Sequence, residues 1–255
     1  MVRRGQVGPF RLRPLRPAAR ARYVPPVRVH VLTYNIRSGT DMLGRPRLAE
    51  QAAVLRDTAA DLVLLQEVAH AGQAEWLAGR AALPHIAFGA TRRTSAGEFG
   101  NAMLCRWPLR QVTNRLVSRG RLQGQPRAVL SAMLACDGHP VHVLGTHFGL
   151  LPGEAERAAH LVVALAGARG GPLIAGGDLN RPWAAAACHR RLRAVLLDCA
   201  RVGQQRPQPT FPAPRPVLRL DYLYARDLVV REARVLPSRA SDHCPLLVAL
   251  DLPGA

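Results

Sequence analysis

The sequence predicts an α/β protein made of two packed sheets with helices outside them. Three observations carry this. Strand-like apolar runs recur from residue 27 onward, and helical periodicity interrupts them at intervals. The strict strand–helix–strand succession of a doubly wound sheet is missing from the middle of the chain. With 255 residues, one domain with a large core is expected rather than two small ones.

The elements follow in order. Residues 1–26 are rich in Arg and Pro and lack periodicity, so they read as a basic mobile arm, with the domain at 27–255. Residues 27–36 alternate in polarity as a half-buried strand does. Across 47–60, Leu48, Ala52, Leu55 and Ala59 share one helical face. Residues 61–66 form a short apolar run typical of a buried strand, and 73–83 read as a helix. Strands are expected at 85–89, 101–105, 128–136 and 140–146. The last two flank Asp137-Gly138, a hairpin-turn signal. Residues 154–168 form a helix with Ala158, Leu161, Val162 and Leu165 toward the core. A buried strand at 172–176 and a helix at 183–197 follow. The Gln- and Pro-rich stretch 203–216 reads as a loop. Strands at 220–225, 228–236 and 244–252 close the chain, and no solenoid repeat is present.

Composition narrows the function class. Hydrophobic content of 48% is that of a soluble globular protein. No stretch approaches the roughly 18 uncharged apolar residues of a membrane span. Residues 1–26 lack the apolar segment of a signal peptide, so a cytoplasmic location is expected. Five cysteines with no CxxC pair argue against a disulfide framework or structural zinc and for buried free thiols. The net charge of +18 suggests a polyanion partner. All 35 basic residues are arginine, however, which reads as a coding bias, and residues 1–28 alone hold eight of them with no acid. The arm reads first as a solvated extension and second as a tether to nucleic acid or anionic lipid.

Polar signatures at the ends of apolar runs carry the chemistry. Glu67 ends one run, where a buried carboxylate needs a partner; a hard cation such as Mg²⁺ or a nearby Arg would serve. Asn35 ends another. Asp178 and Asn180 follow Gly176-Gly177, and an acceptor-only carboxylate beside an amide donor suits a water held next to a phosphate oxygen. His243 follows Asp242, and Asp221 is available to hold its imidazole in one tautomer. His147 ends a further run. Arg127 reads equally as a cleft and as a surface residue. Trp76, Trp107 and Trp183 are expected to pack at element ends, and Cys244 to be a buried thiol.

In order, Thr33-Tyr34-Asn35, Gln66-Glu67, Gly100-Asn101-Ala102, Thr146-His147, Gly177-Asp178-Leu179-Asn180, Leu220-Asp221-Tyr222 and Ser241-Asp242-His243-Cys244-Pro245 resemble the motifs of the endonuclease/exonuclease/phosphatase superfamily. That superfamily includes deoxyribonuclease I, exonuclease III-type enzymes, deadenylases, neutral sphingomyelinases and inositol polyphosphate 5-phosphatases. The resemblance spans about residues 28–252. It implies a four-layer α/β sandwich of two mixed β-sheets packed face to face and flanked by helices. It also implies one or two Mg²⁺ or Mn²⁺ ions, with Asn35, Glu67 and Asp242 as metal ligands. Asp178 or His243 would be the base, Asp221 would orient His243, and His147, Asn180 and His243 would bind phosphate. Residues 147–150 with Glu156-Arg157, and Thr210-Phe211-Pro212, resemble a small bacterial branch of metal-dependent hydrolases.

The leading expectation is a monomeric phosphodiesterase of nuclease type. Nucleic acid stands slightly ahead of a phospholipid head group because of the basic charge. A small-molecule phosphomonoesterase comes second. A non-catalytic binding module comes third, because every catalytic position is filled.

Overall fold

The computed structural model describes residues 27–95, 97–118, 125–183, 185–203 and 206–252, so the expected arm at 1–26 lies outside the described residues. In chain order the elements are β1 (Arg28–Asn35), α1 (Leu48–Thr58), β2 (Leu62–Val68), α2 (Ala71–Ala81), β3 (His85–Thr94), β4 (Gly97–Cys105), β5 (Leu109–Ser118), β6 (Arg127–Cys136), β7 (His139–His147), α3 (Pro152–Gly167), β8 (Leu173–Asp178), α4 (Ala187–Arg193), β9 (Leu197–Asp198), α5 (Cys199–Gly203), β10 (Asp221–Arg226), β11 (Val229–Val235) and β12 (Leu246–Asp251).

The strands form two six-stranded sheets, in the orders β11-β12-β1-β2-β4-β3 and β5-β6-β7-β8-β10-β9. Among the described residues only the pairs β1/β2 and β7/β8 are parallel. A parallel pair needs a crossover, and here α1 and α3 supply one each. The two sheets are thus built around the same kind of β-α-β unit.

Alternating side chains explain the four layers. Val31, Leu62 and Leu64 point between the sheets and meet Leu130, Val143, Ile174 and Leu223. Their neighbours Leu32, Val63 and Leu65 point the other way, onto Leu55 of α1 and Leu77 of α2. On the far side Leu144, Ala175 and Tyr224 pack under Val162 of α3 and Leu192 of α4. Strands buried on both faces read as continuous apolar runs, which is what these segments show.

Asp137 and Gly138 have φ of 47° and 93°, and Cys136 pairs with His139, so the turn is the tight two-residue kind that matches strand twist. All five cysteines are free and buried. One strand is additional and two expectations need correction. β5, in a stretch given no assignment from the sequence, is an edge strand paired to β6 alone, with Val112 and Leu116 exposed, so its burial pattern is weak. The expected helix at 183–197 shrinks to α4, because 195–198 leave it so that β9 can pair with β10. Trp183 therefore does not pack at a helix end but is 70% exposed.

Candidate active site

β1, β2, β7 and β8 end at the same edge of the sandwich, and β10, antiparallel to β8, begins there. Asn35 is the last residue of β1, His147 of β7 and Asp178 of β8, while Asp221 is the first of β10. In β2 the pairing with β4 slips. Leu65 faces Ala102 and Val68 faces Gly100, so Gln66 and Glu67 together oppose Asn101. This is a β-bulge, a device that redirects a side chain. Glu67 adopts φ 57° there, a left-handed angle uncommon for a residue other than glycine. Gly177 has φ 142°, and a Cβ on it would collide with the Thr146 carbonyl. Only glycine lets β7 and β8 approach this closely, with His147 and Asp178 side by side in register.

Asp178 is the hub. Asn35 Nδ2 donates to Asp178 Oδ2 at 3.0 Å and to Glu67 Oε1 at 3.2 Å, which ties one sheet to the other. The Asn180 backbone N–H donates to Asp178 Oδ1 at 2.9 Å. His147 Nε2 lies 3.3 Å and His243 Nε2 3.6 Å from Asp178 Oδ2. His243 Nδ1 is 2.8 Å from Asp221 Oδ2, and Asp221 itself is fully buried. The sequence thus brings Asn35, Glu67, His147, Asp178, Asn180, Asp221 and His243 into one connected network.

Burial sets the charges. It pushes Asp178 up to about 6, with Asp221 adding to the rise and His243 opposing it. Burial opposes a charge on His243 as well, but Asp221 and Asp178 outweigh it and raise the imidazole to about 10. His147 goes the other way: burial, then Arg127 and His243, hold it well below its ordinary range. Two donors face its ring: Arg127 Nη1 lies 3.0 Å from Nδ1 and Asn180 Nδ2 3.0 Å from Nε2. A neutral imidazole accepts at one nitrogen and donates from the other, and Nε2 also faces Asp178. Asn180 Nδ2 donates to the Phe148 carbonyl at 3.0 Å, beside that same Nε2.

Asp242 sits at the margin. Its Oδ2 is 3.3 Å from Arg37 Nε, and its Oδ1 lies 3.2 Å from Ser241 Oγ. Among the described residues no group of three His, Cys, Asp or Glu side chains forms a metal cage by itself. The oxygen donors near Asp178 are the Glu67 carboxylate and the Asn35 amide, a hard set that suits Mg²⁺ or Mn²⁺ with water completing the shell.

Several supports have contacts to which the sequence assigns no role. Arg127, left open there, is buried against His147. Thr210 Oγ1 accepts from the backbone N–H of Leu220 and Asp221, and the Phe211 ring lies 4.9 Å from that of His243. Ser241 Oγ donates to the Asn35 carbonyl at 2.7 Å. Gln51 donates to the carbonyls of Ile36 and Ala240. Its polar side chain on the apolar face of α1 was the one available signal.

The model of the family described as Endonuclease/Exonuclease/phosphatase family matches residues 32–243. The uncharacterized protein YbhP of Escherichia coli is 32% identical over 249 residues, covering 87% of this chain and 96% of that one. A Bacteroides vulgatus endonuclease/exonuclease/phosphatase structure superposes with a TM-score of 0.76 at 20% identity, covering 89% of this chain and 99% of that one. The Bacteroides thetaiotaomicron mannosyl-6-phosphatase gives a TM-score of 0.72 at 18% identity, covering 87% and 99%. At these identities the two solved structures speak for the fold: a four-layer sandwich.

Proposed function

Because the chain belongs to the endonuclease/exonuclease/phosphatase family of phosphoester hydrolases, we propose that it is a Mg²⁺- or Mn²⁺-dependent phosphodiesterase. The observation that carries this is the Asn35 amide joining Glu67 and Asp178 across the seam between the sheets. Glu67 and Asn35 would hold the ion, with Asp242 an outer candidate that Arg37 already engages. When bound, a divalent ion supplies Lewis-acid neutralisation of charge growing on the phosphate.

The remaining roles belong to the chain itself. Asp178 accepts a hydrogen bond from the attacking water and takes its proton as the water oxygen bonds to phosphorus; the P–O bond to the leaving alcohol breaks and that oxygen takes a proton from solvent. His243, held between Asp221 and Asp178, is favoured in its charged form and would donate to a phosphate oxygen. His147 and Asn180 would contact the phosphate, their positions held by Arg127 and by the Phe148 carbonyl. The substrate is a phosphodiester of nucleic acid or of a phospholipid head group.

The test uses the full chain with bis-p-nitrophenyl phosphate. EDTA should abolish hydrolysis, and Mg²⁺ or Mn²⁺ should restore it. Asp178→Asn should lower turnover by about 10²- to 10⁴-fold with the fold intact. Hydrolysis that survives EDTA, or an Asp178→Asn rate near that of the wild type, would overturn the reading.

A further inference from the structure

Among the described residues, four loops at the catalytic edge carry exposed apolar side chains. Leu43 on the β1–α1 loop is 71% exposed, Leu150 on the β7–α3 loop 69%, Trp183 on the β8–α4 loop 70%, and Val217 ahead of β10 74%. Soluble proteins scatter exposed apolar residues singly; several on one functional edge mark an interaction surface. These loops adjoin one another. A groove of about 700 Å³ lies between Met42-Leu43 and Pro214. A second cavity of about 610 Å³ lies between Val217 and Pro182, next to Trp183. Arg181 then donates to the Leu150 carbonyl and links the β8–α4 loop to the β7–α3 loop.

Arginines are interleaved with these apolar side chains. Arg45 is exposed on the β1–α1 loop, and Arg206 and Arg215 on the stretch ahead of β10 that carries Val217. The acids there, Asp41 and Glu50, are both engaged by Arg47. Aliphatic tips among guanidinium groups match the boundary between acyl chains and anionic head groups. A strand of nucleic acid would call for aromatic stacking platforms, and Trp183 is the one exposed aromatic ring among these rim residues.

We infer that the catalytic end of the sandwich docks on an anionic lipid surface, so that the phosphodiester presented to Asp178 is a phospholipid head group. This rests on the phosphodiesterase reading above and names its substrate class. Leu43, Leu150, Trp183 and Val217 enter the head-group region, the arginines pair with lipid phosphates, and the site between them meets the head group of a lipid still in the bilayer.

The experiment compares the full chain with a Leu43→Ser, Leu150→Ser, Trp183→Ser variant, none of which touches the catalytic network. Sedimentation measures partition onto phosphatidylcholine vesicles with and without phosphatidylglycerol, and a parallel arm measures plasmid DNA retention. The wild type should bind the phosphatidylglycerol vesicles. The variant should bind them about tenfold less or worse, and turn over their phosphatidylglycerol correspondingly less. Both should hydrolyse bis-p-nitrophenyl phosphate within about twofold of each other, since exposed substitutions rarely disturb a fold. Equal vesicle binding by the two proteins overturns the inference. So does DNA retention lost in the variant with no vesicle binding by either. Wild-type protein that ignores vesicles yet hydrolyses the soluble diester also overturns it, and leaves the phosphodiesterase reading standing.

Discussion

Glu67 holds a backbone angle that glycine adopts freely and glutamate does not, and it does so inside a bulge that directs its carboxylate to Asn35. Left-handed angles in non-glycine residues cost on the order of 1 kcal/mol, so the fold carries that strain for the sake of one carboxylate. Glu67→Gly should therefore unfold in urea within about 1 kcal/mol of the wild type, while metal-dependent hydrolysis of bis-p-nitrophenyl phosphate falls at least about 100-fold. His142, outside the site, gives a pH signature. Burial, with Arg169 and Arg226 adding to it, pushes its imidazole down to about 4. The unfolded ring takes up a proton near pH 6.5, so as pH falls the unfolded state is protonated first. Stability carried by the neutral ring is lost between about pH 6.5 and about 4. Urea unfolding of His142→Asn across that window should lack the slope, and an identical slope would contradict the assignment. At this scale the sequence was legible wherever a polar residue ends an apolar run, as with Asn35, Glu67, His147 and Asp178. Arg127 was not legible, because its partner His147 is twenty residues away and an arginine gives no local sign of being buried.

Among the elements, β7 and β8 depend on a single missing side chain. Gly177→Ala should destabilise by about 3 kcal/mol or more and lower activity, since the Thr146 carbonyl occupies the space a Cβ needs. Gly79, exposed in α2 with open space around it, should behave oppositely: Gly79→Ala should raise stability by about 0.5–1 kcal/mol in thermal or urea unfolding. The β6–β7 hairpin was readable because Asp137-Gly138 specifies its own turn. Residues 109–118 gave no such cue. An edge strand with one partner and an exposed face needs little apolar patterning, so LRQVTNRLVS gives no clear strand signal. The end of α4 was misjudged for a related reason. Residues 195–197 have helical composition, and it is the tertiary pairing of β9 with β10 that takes them out of the helix.

For the whole molecule, period-two patterning revealed which residues face inward but not which strand pairs with which. The order β11-β12-β1-β2-β4-β3 places the last strands of the chain beside the first, a long-range pairing no local signal encodes. The site inherits that topology. Asn35 and Glu67 belong to one sheet, His147, Asp178 and Asp221 to the other, and two hydrogen bonds, Asn35 to Asp178 and His243 to Asp221, bridge them. Competence for chemistry is therefore a property of the joint between two slabs rather than of either slab. Warming that lets the slabs slide by a fraction of a bond length would disarm the enzyme while its secondary structure is still whole. Turnover measured on a slow temperature ramp should fade several degrees before the far-ultraviolet circular dichroism changes.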